Sequence, residues 1–572
     1  MPRAFSHPLL VALLLLSFFL LGLAGVRHAS VTVDEFAHLP AGAYYHETGN
    51  FYLFAKNPPL VKYLMTVPLL ASKPNVDRNA HVDQGGWTPW IFGYDFMEKN
   101  RASYLDLFFR ARVVVLCLGL LLGFLVYRWA REEYGPAGGL ISLLLFAFEP
   151  NLLAHAGLAT VDVGCALGMF AAVYAFRTYL RRPSWRTLLA AGVLLGSAEL
   201  TKYTAVLLYP LLMLLAGVFL VRTGKGSPLR PWRLAGALGL IFLVSVVVIN
   251  AGYGFQDTMR PAGSYRLESE SSRRAVALLP AGLPLPLPGP YIEGFDALRA
   301  DTENGEFPNY LLGSWSQRGW RYYFPLTMAW KLSPALLLVL VVAPFVRRPA
   351  DEASVSPAGE FVVWLPPLVL LLLFSLFVHT NYGIRYLLPV FPFLLVYAGR
   401  LGQVFRGGPK LLRVALAALL CLYPLSALTA APAFLSYFNL LAGGTNGGHR
   451  YLLDSNVDWG QELPTLREFM TKNRIDRIGL VYFGHVDPAL YGIDWDLPET
   501  RISPYVAVSA NFLHGYPYPI YRKGEMIDLP PGRYAWLLGK KPVAILDGSL
   551  FVYRFDDWPA ELATPPPYQK AF

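Results

Sequence analysis

Residues 9–26 read LLVALLLLSFFLLGLAGV and residues 27–35 read RHASVTVDE. An uncharged run of this length approaches the roughly 20 apolar residues a helix needs to cross about 30 Å of hydrocarbon. It ends on two adjacent carboxylates, Asp34 and Glu35. The basic residue and apolar stretch have the outline of a signal peptide, but the apolar core is long and no small-x-small cleavage site follows, so an uncleaved first span is expected. An acidic pair at a membrane face, in a chain that returns to the membrane repeatedly, points to chemistry on a membrane-borne substrate.

The rest of the chain repeats the first reading. Its 572 residues are 54% hydrophobic and 15% charged, too apolar for a water-soluble protein of several ordinary domains. Spans are expected near 9–27, 110–129, 136–150, 163–180, 187–200, 203–221, 233–250, 326–346, 360–378, 386–403 and 411–431. The segments 136–150 and 187–200 are short for a span. The expected fold is a polytopic α-helical membrane protein of about eleven transmembrane helices with a small C-terminal α/β soluble domain.

Every second connection is basic: Arg128 and Arg131; Arg177, Arg181, Arg182 and Arg186; Arg222, Lys225, Arg230 and Arg233; Arg347 and Arg348; Arg400, Arg406, Lys410 and Arg413. Short cytoplasmic loops carry such an excess, so these connections and the N-terminus are assigned to the cytoplasm of an inner or plasma membrane. The odd span count then puts the C-terminal domain on the periplasmic or exterior side. Asp34, Glu35, Asp162, Lys202 and Arg385 all fall on that side. The net charge of +10 is thereby mostly topogenic, and no nucleic-acid partner is expected.

Residues 1–436 are read as the membrane domain, with exterior loops at 28–107 and 252–325. In the first loop, Phe36 to Tyr52 and Leu60 to Leu70 have apolar, partly helical patterns suited to the interface. Beyond residue 437 the composition becomes that of a soluble domain. Helical spacing over Glu462 to Lys472 precedes strand-like runs at 478–483, 505–509, 543–545 and 550–554, so 437–572 is read as an exterior α/β domain of normal size.

Cys117, Cys165 and Cys421 lie in or beside apolar spans and imply no disulfide framework, and nothing resembles a zinc pattern or a phosphate loop. The chemistry rests on charged side chains. Asp34 suits a helix N-cap, and it equally suits a general base, since a neighbouring like charge and partial burial make a carboxylate a better proton acceptor. Asp162 also reads as a helix start, yet an acid at this depth costs about 2.5–3.5 kcal/mol at a helix centre and so faces protein or water. Lys202 and Arg385 sit at exterior helix ends. A lone basic residue there snorkels to head groups, but both lie against the positive-inside trend, which favours holding a phosphate. Lys331 is a weaker candidate of the same type.

Several of these features, in this order, resemble a known family: the acid pair after span one, Asn57-Pro58-Pro59-Leu60, Thr160-Val161-Asp162, Thr201-Lys202-Tyr203 and Ile384-Arg385-Tyr386-Leu387-Leu388-Pro389. The pattern is similar to the polyprenyl-phosphate-sugar-dependent glycosyltransferases of the membrane C-type superfamily (glycosyltransferase family 39), near the protein O-mannosyltransferases and the aminoarabinose transferase. The tail, through residues 451–462 (YLLDSNVDWGQE), resembles a recurrent extension in this group. The resemblance implies transfer of a sugar from a polyprenyl-phosphate carrier to a hydroxyl or amine of a lipid, glycan or protein acceptor. Asp34 would be the base, with Glu35 orienting it and Asp162 supporting the site. Lys202, Arg385 and Lys62 would bind the donor phosphate, and Asn57, Pro58 and Pro59 would form the substrate loop. The family more often has His where this chain has Asn57. Monophosphate donors need no metal, so no cofactor is expected, although relatives with pyrophosphate-linked donors use a divalent ion. Two other classes fit many spans and charges: a lipid or glycan transporter or flippase, and a non-catalytic assembly protein. Transporters show inverted repeats and broken helices at the midplane, whereas the polar residues here gather at one face, and the intact acid pair speaks against the second class.

Overall fold

The computed structural model describes residues 7–80, 87–224, 229–305, 308–346, 357–522 and 525–563. Lys225, Arg347 and Arg348 of the basic connections lie outside the described residues. So do residues 1–6 ahead of the first span, parts of both large loops (81–86 and 306–307) and the last residues, 564–572.

Among the described residues seven helices are long and apolar enough to cross a membrane: Pro8–His28, Tyr104–Ala147, Asp162–Arg181, Tyr203–Thr223, Pro231–Gly252, Gly359–Phe377 and Lys410–Ala430. The pair Tyr323–Lys331 and Pro334–Phe345 is apolar enough together but bent by 116°, the shape of a broken span or a re-entrant loop, and counts as an eighth crossing only in the first case. The protein is thus a polytopic helical membrane protein, and the difference from about eleven expected spans has local causes. The 44-residue helix Tyr104–Ala147 contains two of the expected segments, joined through Gly135 at φ 77°. Pro136 follows it, removing a helical N–H, and glycine takes the left-handed conformation without steric cost. The 187–200 segment is the 15-residue helix Trp185–Glu199. The 386–403 segment divides into Phe391–Ala398, a 3-10 turn Gly399–Leu401 and Gly402–Gly407. These short helices pack closely. A Cβ added at Gly192 or Gly196 would meet Val244 or Val248 of Pro231–Gly252 at 2.7 and 2.6 Å, the small-residue contact by which membrane helices approach.

The two large loops are structured. Residues 28–107 form the helices Val33–Thr48, Leu60–Thr66 and Thr88–Lys99, and 252–325 form Glu270–Ala277, Gly289–Asn304 and the hairpin Asn309–Leu311/Ser314–Ser316.

The tail carries a five-stranded sheet in the order Asp494–Asp496, Arg477–Val481, Tyr505–Ser509, Leu550–Arg554, Ala544–Leu546. The first three run parallel and the last two add antiparallel. Helix Leu463–Lys472 buries Leu463, Leu466 and Met470, one helical stripe, against Ile478, Leu480 and Val552. The strand runs read from sequence match these elements, except Asp494–Asp496 and the hairpin Ile520–Arg522/Glu525–Ile527, too short to stand out. The tail also joins the first loop edge to edge. Ser30 N–H donates to Gln461 O (3.0 Å) and Val33 N–H to Trp459 O (3.1 Å). Ser30 Oγ donates to Gly460 O (2.6 Å) and accepts from Leu463 N–H (3.2 Å). The segment just before Asp34 is therefore held by the tail.

Candidate active site

Helix Val33–Thr48 is capped by Thr32, not by Asp34; Thr32 N–H and Oγ1 both donate to Glu35 Oε2 at 2.9 Å. Asp34 sits in the first helical turn, free of the capping task. Its Oδ2 accepts from Arg385 Nη1 at 2.5 Å. Asp162 likewise is the first residue of its helix with Val161 as cap, and its Oδ1 accepts from Lys202 Nζ at 2.6 Å. Arg385 Nη1 also lies 3.9 Å from Asp162 Oδ2, so the guanidinium bridges the two acids. The four residues expected from separate stretches form one cluster. Lys202 and Arg385 turn inward, with side chains 15% and 11% exposed, and do not snorkel. Aromatic rings cover the cations: Lys202 Nζ lies 4.7 Å from the Tyr386 ring centre, and the Arg385 guanidinium 4.5 Å from that of Trp459.

Four expected site residues, Glu35, Lys62, Pro58 and Pro59, are placed elsewhere. Glu35 is fully buried and accepts from Arg112 Nε and Nη2, both at 2.7 Å, and from Ala159 N–H at 2.6 Å. Arg112 further donates to the carbonyls of Val26, Ala29 and Ser30. Glu35 therefore does not reach the cavity; it ties the first span, the long helix and the loop before Asp162 together. Lys62 is also fully buried, and its ammonium donates to Tyr45 Oη (2.8 Å), Phe54 O (2.7 Å) and Asn57 O (2.6 Å). With its three donors spent it cannot take a phosphate, and burial holds it well below the ordinary lysine pKa. It instead shapes the 54–57 turn. Of Asn57, Pro58 and Pro59, only Asn57 lines the cavity; Pro58 is buried and Pro59 precedes helix Leu60–Thr66. Lys331, buried, donates to Leu435 O and Asn456 O.

The cluster opens on a cavity of about 210 Å³. Asp34 and Arg385 lie on its wall with Lys56, Asp301 and Asp454, and most of the remainder is aromatic, including Trp87, Trp90, Tyr382, Trp459, Tyr516 and Tyr518. Lys56 Nζ donates to both oxygens of Asp301, at 2.8 and 2.7 Å, joining the two loops. Behind Tyr518, His485 Nε2 lies 2.7 Å from the Tyr518 hydroxyl and Nδ1 lies 2.5 Å from that of Tyr94. Burial pushes the His485 pKa down to about 3, so the ring is a neutral bridge between two hydroxyls. Burial raises the Asp454 carboxyl to about 6, against the opposing pull of Arg385. Sequence reasoning missed the aromatic wall, Asp454 and Arg112; an arginine inside an apolar span was the one available signal.

A second, apolar groove of about 480 Å³ lies between the long helix, Asp162–Arg181 and Trp185–Glu199. Leu118, Leu125, Leu167 and Leu194 line it, with Thr178 and Thr187 at one end and Gly164 and Thr201 at the other. Gly164 to Thr178 corresponds to about 21 Å of helix, most of the hydrocarbon thickness. Its second end abuts the cluster, since Asp162 and Lys202 adjoin those residues and Lys202 covers Tyr386, a cavity residue. Among the described residues no group of three or more His, Cys, Asp or Glu is arranged to hold a metal ion.

Residues 105–249 match the model of a family described as dolichyl-phosphate-mannose-protein mannosyltransferase. The resemblance read from the sequence is borne out over this segment, which contains Arg112, Asp162 and Lys202. The family's description names a dolichyl-phosphate-linked sugar as donor. Solved structures with a similar arrangement include ArnT from Cupriavidus metallidurans bound to undecaprenyl phosphate, 15% identical, covering 98% of this chain and 99% of that one with a TM-score of 0.46. The archaeal oligosaccharyltransferase AglB from Archaeoglobus fulgidus, in complex with an inhibitory peptide and a dolichol-phosphate, is 10% identical over 90% of this chain and 74% of its own, TM-score 0.46. Comparison with curated protein sequences gives no match.

Proposed function

We propose that this protein is a membrane glycosyltransferase that moves a sugar from a polyprenyl-phosphate carrier to an acceptor hydroxyl or amine. The observation that carries the reading is a cluster of two acids and two cations that stands between two hollows: Asp162 and Lys202 neighbour Gly164 and Thr201 of an apolar groove, and Asp34 and Arg385 stand on the wall of a polar, aromatic cavity. A polyprenyl chain suits the groove, a phosphate suits Lys202 and Arg385, and a sugar suits the cavity. The match of residues 105–249 to a transferase family with a lipid-phosphate-sugar donor supports the same reading.

In this reaction the acceptor oxygen or nitrogen forms a bond to the sugar C1 as the bond from C1 to the phosphate oxygen breaks. The acceptor proton passes to Asp34, and the electron pair leaves with the polyprenyl phosphate. Negative charge growing on the leaving oxygen is met by fixed cations. Arg385 has two tasks. It pairs with Asp34, and an arriving phosphate competes for the same nitrogen, freeing the carboxylate to act as base. Glu35 and Arg112 keep the backbone under Asp34 in place. The face carrying the cluster is assigned to the exterior or periplasm, with residues 437–572 over it and residues 1–436 in the membrane.

The test is incubation of purified protein with a panel of polyprenyl-phosphate sugars and acceptors, followed by mass spectrometry. Donor consumption with release of polyprenyl phosphate and a glycosylated acceptor is expected. Proteoliposomes that move the lipid between leaflets without consuming any donor would favour the transporter class instead.

A further inference from the structure

The tail takes part in the cluster itself. Trp459 O accepts from Val33 N–H at 3.1 Å, one residue before Asp34, while the Trp459 ring covers the Arg385 guanidinium at 4.5 Å. One tail residue thus touches the supports of both members of the Asp34–Arg385 pair. Its neighbours fasten the Arg385 loop: Ser455 Oγ donates to Tyr382 O at 2.5 Å, and Asn456 Oδ1 accepts from Ile384 N–H at 3.0 Å. At the head of this segment Asp454 lines the cavity, within electrostatic reach of Arg385 and Asp34.

Asp454 is held there against local preference. Its φ is +55°, a left-handed conformation that non-glycine residues adopt rarely, aspartate and asparagine excepted. Its N–H is fixed by Asn511 Oδ1 at 2.9 Å, and its carbonyl accepts from Val457 N–H at 2.8 Å and Asp458 N–H at 3.0 Å. Among the described residues only its Oδ1 has a hydrogen-bond partner, Ser455 N–H at 2.5 Å. Strain of this type concentrates where a side chain must be aimed. Here it aims a carboxylate into a cavity faced by Trp459 and the tail residues Tyr516 and Tyr518.

Resting on the proposed transferase reading, we infer that the tail supplies the sugar-recognition wall of this site. Asp454 accepts hydrogen bonds from hydroxyl or amino groups of the sugar on the carrier, while the buried Trp459 ring backs the Arg385 guanidinium that meets the phosphate. The chemistry of the donor dictates the position. The sugar is bonded directly to the phosphate, so a phosphate on Arg385 places the ring beside that guanidinium, where Asp454 and Trp459 stand. A carboxylate pairs with several ring substituents at once.

The full-length protein is tested with two ligands, undecaprenyl phosphate and a sugar-bearing carrier that the wild type consumes. Binding of each is measured for wild type, Asp454→Asn and Asp454→Ala, with thermal unfolding as a check on folding. Asparagine tolerates the left-handed backbone, so Asp454→Asn keeps the variant pair informative even where alanine strains the turn. The expected result is unchanged affinity for undecaprenyl phosphate. Affinity for the sugar-bearing carrier falls about tenfold or more in Asp454→Ala, the loss typical of a hydrogen bond to a charged acceptor. Asp454→Asn loses less. Equal weakening for both ligands, or for neither, overturns the inference, because Asp454 would then act through the phosphate site or not at all. A wild type that binds neither ligand overturns the transferase reading beneath it.

Discussion

Helix Asp162–Arg181 carries an ionic cluster at each end, and the two are built for different work. At its end, Arg177 and Arg181 close on Glu133, with Arg177 also bonding Glu132 at 2.9 Å and lying over Trp129. The Glu133 side chain is 0% and that of Arg177 3% exposed, and neither lines the cavity or the groove, although Tyr174 and Thr178 beside Arg177 do line the groove. At its start, Asp162 meets Lys202 and Arg385, and the Asp34 carboxylate beyond is 24% exposed, on a cavity wall. Each end pairs two acids with two cations. What separates a lock from a site is whether the charges keep an open side for a ligand.

The largest expected effect breaks the site and spares the lock. Asp34→Asn keeps shape and helix but cannot take a proton, and general-base loss lowers turnover by about 10²- to 10⁴-fold. Thermal unfolding of the same variant should be close to wild type. Near-normal turnover would remove Asp34 from the reaction.

Glu133→Gln should do the opposite. It leaves two arginines facing a neutral partner, and breaking a buried pair costs about 3–5 kcal/mol. Unfolding in detergent should show that loss, while turnover per folded molecule stays unchanged. A turnover defect without destabilisation would mean that the two ends are not separate in role.

How much of this contrast was legible in the sequence follows from what a charge in an apolar stretch reveals. Asp34, Asp162, Lys202 and Arg385 stood out because carboxylates and cations beside spans are costly unless used. Which way a side chain turns was not legible. Glu35 and Lys62 carry the same signal, yet one meets Arg112 across the fold and the other finds three oxygens within its own turn. The aromatic wall was hidden for another reason. Trp459, Tyr516 and Tyr518 reach the cavity only because residues 459–463 pair with 30–33, a contact between the two ends of the chain that no local pattern encodes. The tail's strands were legible from short apolar runs, whereas its docking was not.

A smaller effect probes that docking. Asp458 and Glu462 are both held above the ordinary carboxylate range, chiefly because burial strips their water, with the charge of Asp454 adding to the rise at Asp458 and that of Asp458 to the rise at Glu462. Asp454, raised to about 6, adds to this. Between the unfolded carboxylate values and these raised ones the folded protein binds more protons than the unfolded chain. Stability therefore falls as pH rises through that window, by at most about 1.4 kcal/mol per pH unit for each titrating group, and levels off above it. Glu462→Gln should flatten this slope in unfolding experiments between pH 4 and 8. An unchanged slope would mean that the buried acids are not its source.

The central claim, that the open cluster is built for a lipid phosphate, is tested most directly by binding of undecaprenyl phosphate to wild type, Lys202→Met, Arg385→Met and Glu133→Gln. Removing a charge-assisted hydrogen bond to phosphate is worth about 1.5–3 kcal/mol, so each of the first two variants should bind about 10- to 100-fold more weakly. Glu133→Gln should bind like wild type. Wild-type affinity in both cation variants would contradict the account and leave Lys202 and Arg385 as partners of Asp162 and Asp34 alone.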